Sequence, residues 1–313
     1  MTNIELLSIG KENFTRLKLL CEDNAKVIPF IGAGPSVTPG LPDWKNLLLK
    51  MIEEFEILEL SDFEELLNEY EYSKVASLIY MKINKNQYKE YLSKALKPQY
   101  AEFTSIHTGL VKRFKIILTT NFDNMLDEAA KEEGLSIEKQ ILPNFTLSEL
   151  FLAYTYVYLH GHIETGNLIF REEDYSLFYD DTNESGYVTD LYDLIKLFIK
   201  ETHLVFIGFS FNDKDFSSMY SKIKNIELTK SRKEISKHYG VEIDQQKEHF
   251  IFIALDSENR KNLKEYEKFN KLNILPIFYD VNQHAEVSRY IRELPLERAT
   301  VVKSEIGLEV LDV

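Results

Sequence analysis

The chain has 313 residues, of which 44% are apolar and 28% are charged, and its formal net charge is −14. No uninterrupted apolar stretch approaches the roughly 20 residues that a membrane-spanning helix needs, so a soluble globular protein without membrane contact is expected. The acidic charge argues against broad electrostatic attraction to DNA or RNA, and neither is predicted as a direct partner.

The first part of the chain predicts a strand, a tight loop and a helix after an amphipathic leading helix. Apolar residues recur at helical spacing in the leading segment, which lacks the compact apolar block of a secretion signal. A charged, tyrosine-rich helical stretch then predicts an insertion over about residues 60–110. The predicted elements are the helix Met1–Asn24, the strand Val27–Ile31, the helix Trp44–Leu58, the helical segment Asp62–Ser105 and the strand Lys115–Leu118.

Strands and helices continue to alternate in the second part of the chain. Parallel strands need crossover helices, so the pattern predicts an α/β fold with a doubly wound, parallel, Rossmann-like sheet and a smaller helical insertion. A charged excursion is expected at Thr229–Glu248 and a C-terminal tail at about residues 293–313. The predicted elements are the helix Met125–Glu133, the strand Tyr154–Leu159, the helix Asp190–Glu201, the strand Leu204–Ile207, the helix Asp213–Ile226, and the strands Phe250–Leu255 and Ile274–Tyr279.

Three of the predicted strands are followed at once by glycine or polar residues. The segments read VIPFIGAGPS from Val27, IILTTNFD from Ile116 and YVYLHGH from Tyr156. The carboxyl ends of parallel strands line the ligand crevice of an open sheet, so these residues are expected to face one bound molecule. The residues at these ends are Gly32, Ala33, Gly34, Asn121, Asp123 and His160. They predict a nucleotide-binding site that also catalyses a reaction.

The loop after the first strand has two interpretations. Small residues there let backbone amides approach a pyrophosphate that a side chain would block. A glycine pair such as Gly32 and Gly34 is equally consistent with a tight turn. The loop lacks the Lys-Ser/Thr ending of a Walker motif, which argues against nucleoside triphosphate hydrolysis of that type. Further along, Trp44 either covers a bound ligand or anchors the start of the next helix.

The order of these motifs carries a resemblance to a known family. GAGPS with GLPDW, TTNFD, LHG and GFS follow one another between Val27 and Tyr279, and in this order they resemble the sirtuin family of NAD-consuming enzymes. The segments LHGHIETGNLIFREEDY and FIGFSFNDKDF are similar to those of bacterial sirtuin-like NAD hydrolases that act as antiphage effectors. The resemblance implies one catalytic domain over residues 1–313, NAD⁺ as the substrate, and no metal.

The resemblance also implies which residues contact NAD⁺. Ala33 and Gly34 would contact the diphosphate, Asp123 the nicotinamide carboxamide, and Gly208 and Ser210 the adenosine half. The predicted binding residues are Gly32, Ala33, Gly34, Ser36, Asp43, Trp44, Thr120, Asp123, Gly208 and Ser210.

Asn121 and His160 are the predicted catalytic pair, which the resemblance places beside the nicotinamide ribose. Loss of nicotinamide leaves positive charge on the ribose, so hydrogen bonds to its hydroxyls and an ordered water lower the barrier. A histidine can take a proton from a hydroxyl or from water, whereas an amide orients without changing its charge. As alternatives, His160 is a core histidine, and Asn121 and Asp123 cap the helix that begins at Met125.

The chain departs from protein-deacylating sirtuins at several positions. Cys21 is the single cysteine, so a four-cysteine zinc module cannot form within this sequence. An internal disulfide is also excluded, which favours a reducing, cytoplasmic setting. Thr120 and Lys45 stand where the deacylases commonly have glutamine and arginine. These departures favour NAD⁺ hydrolysis over deacylation.

Three functions therefore remain open. The favoured one is an NAD⁺ glycohydrolase that depletes NAD⁺ in an antiphage, abortive-infection system, and the others are an NAD-dependent deacylase and a noncatalytic nucleotide-binding or assembly subunit. A permanently active NAD⁺ hydrolase would kill its host, so control by a homo-oligomer or by a separate sensor protein is expected. His162 is left out of the catalytic set, and His107 and His203 are given structural roles.

Overall fold

A computed structural model describes residues 1–23, 25–37, 40–57, 60–69, 71–97, 102–142, 154–179, 188–227, 247–280 and 285–296. Its strands are β1 (Val27–Ile31), β2 (Ile116–Thr119), β3 (Ile137–Ile141), β4 (Tyr154–Tyr158), β5 (Gly161–His162), β6 (Asn167–Leu168), β7 (His203–Ile207), β8 (His249–Leu255) and β9 (Ile274–Asp280).

The helices are numbered in chain order. They are α1 (Asn3–Glu22), α2 (Gly34–Val37), α3 (Trp44–Glu54), α4 (Leu60–Asn68), α5 (Tyr72–Lys82), α6 (Lys85–Leu96), α7 (Ser105–Arg113), α8 (Met125–Glu132), α9 (Glu172–Tyr179), α10 (Val188–Glu201), α11 (Lys214–Glu227), α12 (Asn259–Lys271) and α13 (Ala285–Glu293). None of the helices in the described ranges is long and apolar enough to cross a membrane.

The main sheet has seven strands in the order β3-β4-β2-β1-β7-β8-β9, and every pair of neighbours is parallel. The chain builds the sheet from β1 toward β3 on one side and from β7 toward β9 on the other. A crevice therefore opens beside β1, where the direction of strand addition reverses. The predicted doubly wound α/β fold is confirmed.

Alternate residues of the strands pack on opposite faces of the sheet. Val27 and Ile31 of β1 face a core that α1, α7, α8 and α13 cover. Ile28 and Phe30 face a second core that α10, α11 and α12 cover. All five residues of β1 are buried, as expected for a central parallel strand covered on both faces.

The helices that follow β1 have an apolar core of their own. Side chains of α3, α4, α5 and α6 form this cluster, and Phe170 from the segment before α9 joins it. Residues of α7 pack instead on the sheet, where Leu110 and Val111 belong to the first core. The limits of the predicted insertion, about residues 60–110, stay a prediction, as does the single catalytic domain.

Several elements differ from the sequence-based expectation. The helix that begins at Trp44 ends at Glu54 rather than Leu58, because Glu56 adopts a positive φ of 48° that breaks the helix. The sequence reasoning missed β3, whose residues IEKQI mix apolar and charged side chains, as an edge strand allows. The helices α2, α9, α12 and α13 and the hairpin of β5 and β6 were not predicted either.

Two predicted segments lie mainly outside the described residues. The charged excursion Thr229–Glu248 is described only at its end, and the tail of about residues 293–313 only as far as residue 296.

Candidate functional site

A cavity of about 600 Å³ lies at the carboxyl ends of β1, β2, β4 and β7. The lining includes both predicted catalytic residues and nine of the ten predicted binding residues, whereas Gly32 does not line it. The predicted residues in the lining are Ala33, Gly34, Ser36, Asp43, Trp44, Thr120, Asn121, Asp123, His160, Gly208 and Ser210. The fold thus brings together segments that are far apart in the sequence.

Three glycines allow the loops after β1 and β7 to touch through their backbones. A Cβ on Gly32 would lie 2.5 Å from the Gly208 carbonyl oxygen, and one on Gly34 would lie 2.6 Å from the Gly208 Cα. Gly208 has a φ of +64°, and a Cβ there would lie 2.3 Å from Cδ of Pro35. Gly32 therefore serves the packing of the two loops, while Gly34 and Gly208 also leave bare backbone facing the cavity.

Gly208→Ala is expected to lower the free energy of unfolding by about 3 kcal/mol. The left-handed backbone accounts for about 1–2 kcal/mol, and displacement of the loop after β1 accounts for the rest. Gly134→Ala is the matched control. Gly134 also has a positive φ, +70°, but an added Cβ there would have no other atom within 4 Å. Urea unfolding measures both variants, and equal losses would show that the contact between the two loops contributes nothing.

Ser36 links Asn121 to Asp123. Nδ2 of Asn121 donates to Oγ of Ser36 at 3.3 Å, and the Ser36 hydroxyl is hydrogen-bonded to the Asp123 carboxyl. Oδ1 of Asp123 also accepts the N–H of Met125 at the start of α8, at 3.0 Å. Burial raises the pKa of Asp123, and these two hydrogen bonds act in the opposite direction. Helix capping is thus confirmed for Asp123, whereas the Asn121 side chain donates to Ser36.

Trp44 forms an aromatic wall of the cavity. Its ring packs 5.3 Å from Tyr72 and 5.8 Å from Phe170, and it stacks on Tyr175 at 5.7 Å, all measured between centroids. It is also the first residue of α3, which Asp43 caps by accepting the N–H of Asn46. The anchoring role is confirmed, and the same ring lines the cavity.

The remaining binding candidates lie at the ends of β2 and β7. The N–H of Thr120 donates to the carbonyl of Ile31 at 3.1 Å, which ties the two strand ends together. Oγ of Ser210 accepts the N–H of Asn212 at 3.4 Å. Lys45 also lines the cavity and donates to Asn68.

His160 follows the end of β4 after one residue, Leu159, and is 3% exposed. Burial lowers its pKa to about 3, so the imidazole is neutral at physiological pH. Nδ1 lies 3.4 Å from the hydroxyl of Tyr175, and that hydroxyl donates to Oδ2 of Asp213 at 3.1 Å. A neutral imidazole beside the cavity can accept a proton from a bound hydroxyl or from water.

Sequence reasoning assigned no role to Tyr175 or Asp213. Both lie inside the two longer segments that carried the family resemblance, since Tyr175 ends LHGHIETGNLIFREEDY and Asp213 lies in FIGFSFNDKDF. That placement was the signal available in the sequence. The contact of Tyr175 with His160 depends on the packing of α9, and the contact of Asp213 with Tyr175 depends on the position of the start of α11.

His162 belongs to an ion-pair cluster beside the site. Its Nε2 lies 3.3 Å from Oδ2 of Asp127, and its Nδ1 lies 3.8 Å from Oε2 of Glu164. Burial raises the pKa of Asp127, but the close approach of His162 and the hydrogen bonds from Lys139 and Tyr158 outweigh it and lower the pKa overall.

A ring nitrogen of His162 and one carboxylate oxygen each of Asp127 and Glu164 could in principle bind a metal ion, since these three atoms lie within 4.8 Å of one another. Lys139 donates to both carboxylates, at 2.8 and 3.1 Å, and so already supplies the positive charge there. The arrangement is that of an ion-pair cluster.

The two histidines given structural roles lie outside the cavity lining. Nδ1 of His107 accepts the N–H of Thr104 and completes a capping box at the start of α7. His203 is half-buried on β7, with its Nδ1 3.0 Å from the carbonyl oxygen of Glu248.

Comparison with known proteins supports one family. The family model of the SIR2-like domain matches residues 115–277, just over half of the chain. NAD(+) hydrolase ThsA of Cytobacillus dafuensis is 28% identical over 216 residues, which are 66% of this chain and 40% of that protein. Defense-associated sirtuin 2 of Bacillus subtilis is 25% identical over 219 residues, which are 65% of this chain and 20% of that protein. The alignments thus span less than half of each relative's length.

Proposed function

The chain belongs to the SIR2-like domain family, and from this membership we propose that it is an NAD⁺ glycohydrolase. It cleaves the bond between nicotinamide and ribose and releases nicotinamide and ADP-ribose. The printed names of the two relatives, an NAD(+) hydrolase and a defense-associated sirtuin, support this proposal. They also support a role as an NAD-depleting effector in bacterial antiphage defence.

The observation that carries the proposal is the joint position of His160 and Asn121 in one cavity with the bare backbone of Gly34 and Gly208. Gly34 and Gly208 line the cavity without side chains, which leaves room there for a diphosphate, and the missing Cβ atoms also let the two loops touch. His160 and Asn121 are both largely buried, as polar groups that act on a sequestered bond are expected to be.

The proposed reaction needs charge stabilisation and one proton acceptor. The glycosidic bond breaks with its electron pair going to the pyridinium nitrogen, so nicotinamide leaves neutral and the ribose carries the positive charge. Asn121 orients the ribose, and Asp123 holds the carboxamide. Water then adds to the anomeric carbon and gives its proton to His160, which is neutral before the step because burial lowers its pKa to about 3.

The purified chain is expected to release nicotinamide from NAD⁺ in a one-to-one ratio with the NAD⁺ consumed. Chromatographic measurement of nicotinamide and ADP-ribose, alone and with the protein encoded by the neighbouring gene, tests this expectation. Unchanged NAD⁺ under every condition would favour a noncatalytic subunit. Transfer of an acyl group from an acylated peptide to ADP-ribose would favour the deacylase.

Control of the activity is part of the same proposal. A homo-oligomer or a separate sensor protein restrains the enzyme until infection, and the protein works in the cytoplasm. Activity per mole that rises with protein concentration would indicate activation by self-association. Activity that appears only with the neighbouring protein would indicate a separate sensor. The same assay with NADP⁺ measures the choice of dinucleotide.

A further inference from the structure

The two loops that carry the predicted catalytic pair are bonded to each other beside the cavity. The N–H of Ile163 donates to the carbonyl oxygen of Phe122 at 2.9 Å. Ile163 lies three residues after His160, and Phe122 directly follows Asn121. The rings of Phe122 and His160 also pack, with 6.4 Å between their centroids. The position of His160 relative to Asn121 therefore depends on how firmly these two loops are held together.

The carboxylate of Asp127 contacts one side chain on each side of His160 in the sequence. Its Oδ1 accepts the Tyr158 hydroxyl at 2.6 Å, and its Oδ2 lies 3.3 Å from Nε2 of His162. Tyr158 ends β4 two residues before His160, and His162 follows two residues after it. The rings of Tyr158 and His162 also pack, at 4.5 Å between centroids. Asp127 thus joins the two side chains that bracket His160.

The same carboxylate is fixed to the loop after β2 through α8. Asp127 is the third residue of this helix, which begins at Met125, and the N–H of Met125 donates to Oδ1 of Asp123 at 3.0 Å. Lys139 of β3 donates to Oδ2 of Asp127 at 2.8 Å and balances its charge. The Asp127 side chain is 14% exposed, so water competes little for these charge-assisted bonds.

We propose that Asp127 is a positioning residue for His160. Through Tyr158 and His162, its carboxylate holds the loop after β4 against the loop after β2, and so sets the distance between the proposed base and Asn121. The inference rests on the proposed function for its catalytic meaning, because a general base and an orienting amide must reach the same ribose at once. Asp127 is absent from the cavity lining and acts through the loops, not on the substrate.

Tyr158→Phe is the milder of two tests, because it removes one hydrogen bond to Asp127 and keeps the aromatic ring beside His162. In the full chain, kcat for NAD⁺ is expected to fall about tenfold with KM within about twofold, since misplaced groups slow the chemical step and not binding. Tyr156→Phe is the matched control on the same strand. Its buried hydroxyl has no hydrogen bond to any described residue, and its kcat is expected to equal that of the unchanged chain.

Asp127→Asn tests the carboxylate itself. An amide has one oxygen and one NH₂ group, so it cannot accept from Tyr158 and Lys139 with both atoms, and kcat is expected to fall about 100-fold. The double variant with Tyr158→Phe is also expected to lose about 100-fold, whereas independent effects would give roughly 1000-fold. Losses that multiply would overturn the proposal. Tyr158→Phe keeps the proposal testable if Asp127→Asn does not fold.

Hydrogen exchange in the free protein tests the same contacts without catalysis. The Ile163 amide reports the bond between the two loops, and the His203 amide, which donates to Lys26 at 2.8 Å, reports the opposite end of the sheet. Tyr158→Phe is expected to speed the exchange of Ile163 at least tenfold and to leave His203 unchanged, because losing one hydrogen bond to a charged group loosens only the loops that it joins. Equal acceleration of both amides, or none at Ile163, would overturn the proposal.

The two measurements separate this proposal from the proposed function. A chain that releases no nicotinamide, but in which Tyr158→Phe speeds exchange at Ile163 alone, would keep Asp127 as the group that holds the loops and would remove the NAD⁺ glycohydrolase. A chain that cleaves NAD⁺ with the same kcat in Tyr158→Phe and Asp127→Asn would keep the enzyme and overturn the positioning role.

Discussion

Replacing His160 with alanine is expected to reduce NAD⁺ hydrolysis about 10³-fold, and Asn121→Ala is expected to reduce it by at least 10²-fold. A positioned general base contributes about 10²–10⁴-fold, and loss of one preorganised hydrogen-bond donor costs about 10²–10³-fold. Both effects should fall mainly on kcat, because the two side chains act where charge develops and not where the dinucleotide is bound. Nicotinamide release under saturating NAD⁺ measures them.

The control for these variants is His107→Gln. His107 is buried like His160 but lies outside the cavity lining, and glutamine restores the acceptor of the capping box at Thr104. This variant should keep its full activity. Thermal unfolding of all three variants checks that each is folded. Robust hydrolysis by folded His160→Ala would remove His160 from the mechanism, and the same holds for Asn121.

Lowering the pH from 7.5 to 5.5 is expected to reduce the free energy of unfolding, by about 3 kcal/mol through His107 and His160 alone. Burial lowers the pKa of His107 to about 4 and of His160 to about 3, and it lowers that of His249 well below the usual 6.5. His107 and His160 stay neutral in the folded chain across this range. In the unfolded chain they take up protons as the pH falls through about 6.5, so each favours unfolding by about 1.4 kcal/mol over the interval, and His249 acts in the same direction. Urea unfolding at the two pH values measures the loss.

The loss of stability at low pH combines groups that act in opposite directions, and one variant isolates the contribution of His107. Asp123 acts in the opposite direction, because burial raises its pKa and the folded chain takes up its proton more readily as the pH falls. His107→Gln removes one of the three histidines and keeps the helix cap, so its loss between the two pH values should be smaller by about 1.4 kcal/mol. An equal loss in the variant and in the unchanged chain would contradict the assignment of His107.

Local patterns were sufficient to predict most of the main sheet. The central strands are buried on both faces and therefore read as continuous apolar runs, as in Val27–Ile31 and Leu204–Ile207. β3 was missed because an edge strand can expose charged residues, here Glu138 and Lys139, and so loses the apolar signal. The early end of α3 depends on the backbone conformation at Glu56, which the spacing of apolar residues does not report.

The sequence by itself determined which residues reach the crevice, because in a parallel sheet every residue that directly follows a strand lies at the same edge. Only the tertiary structure decided what those residues can do. His160 is neutral because the packed core removes it from water. It contacts Tyr175, 15 residues further along the chain, and Tyr175 in turn donates to Asp213, which is another 38 residues along. Gly32 and Gly208 meet because β1 and β7 pair side by side. Burial and contacts between distant segments arise only when the chain folds, so no local pattern encodes them.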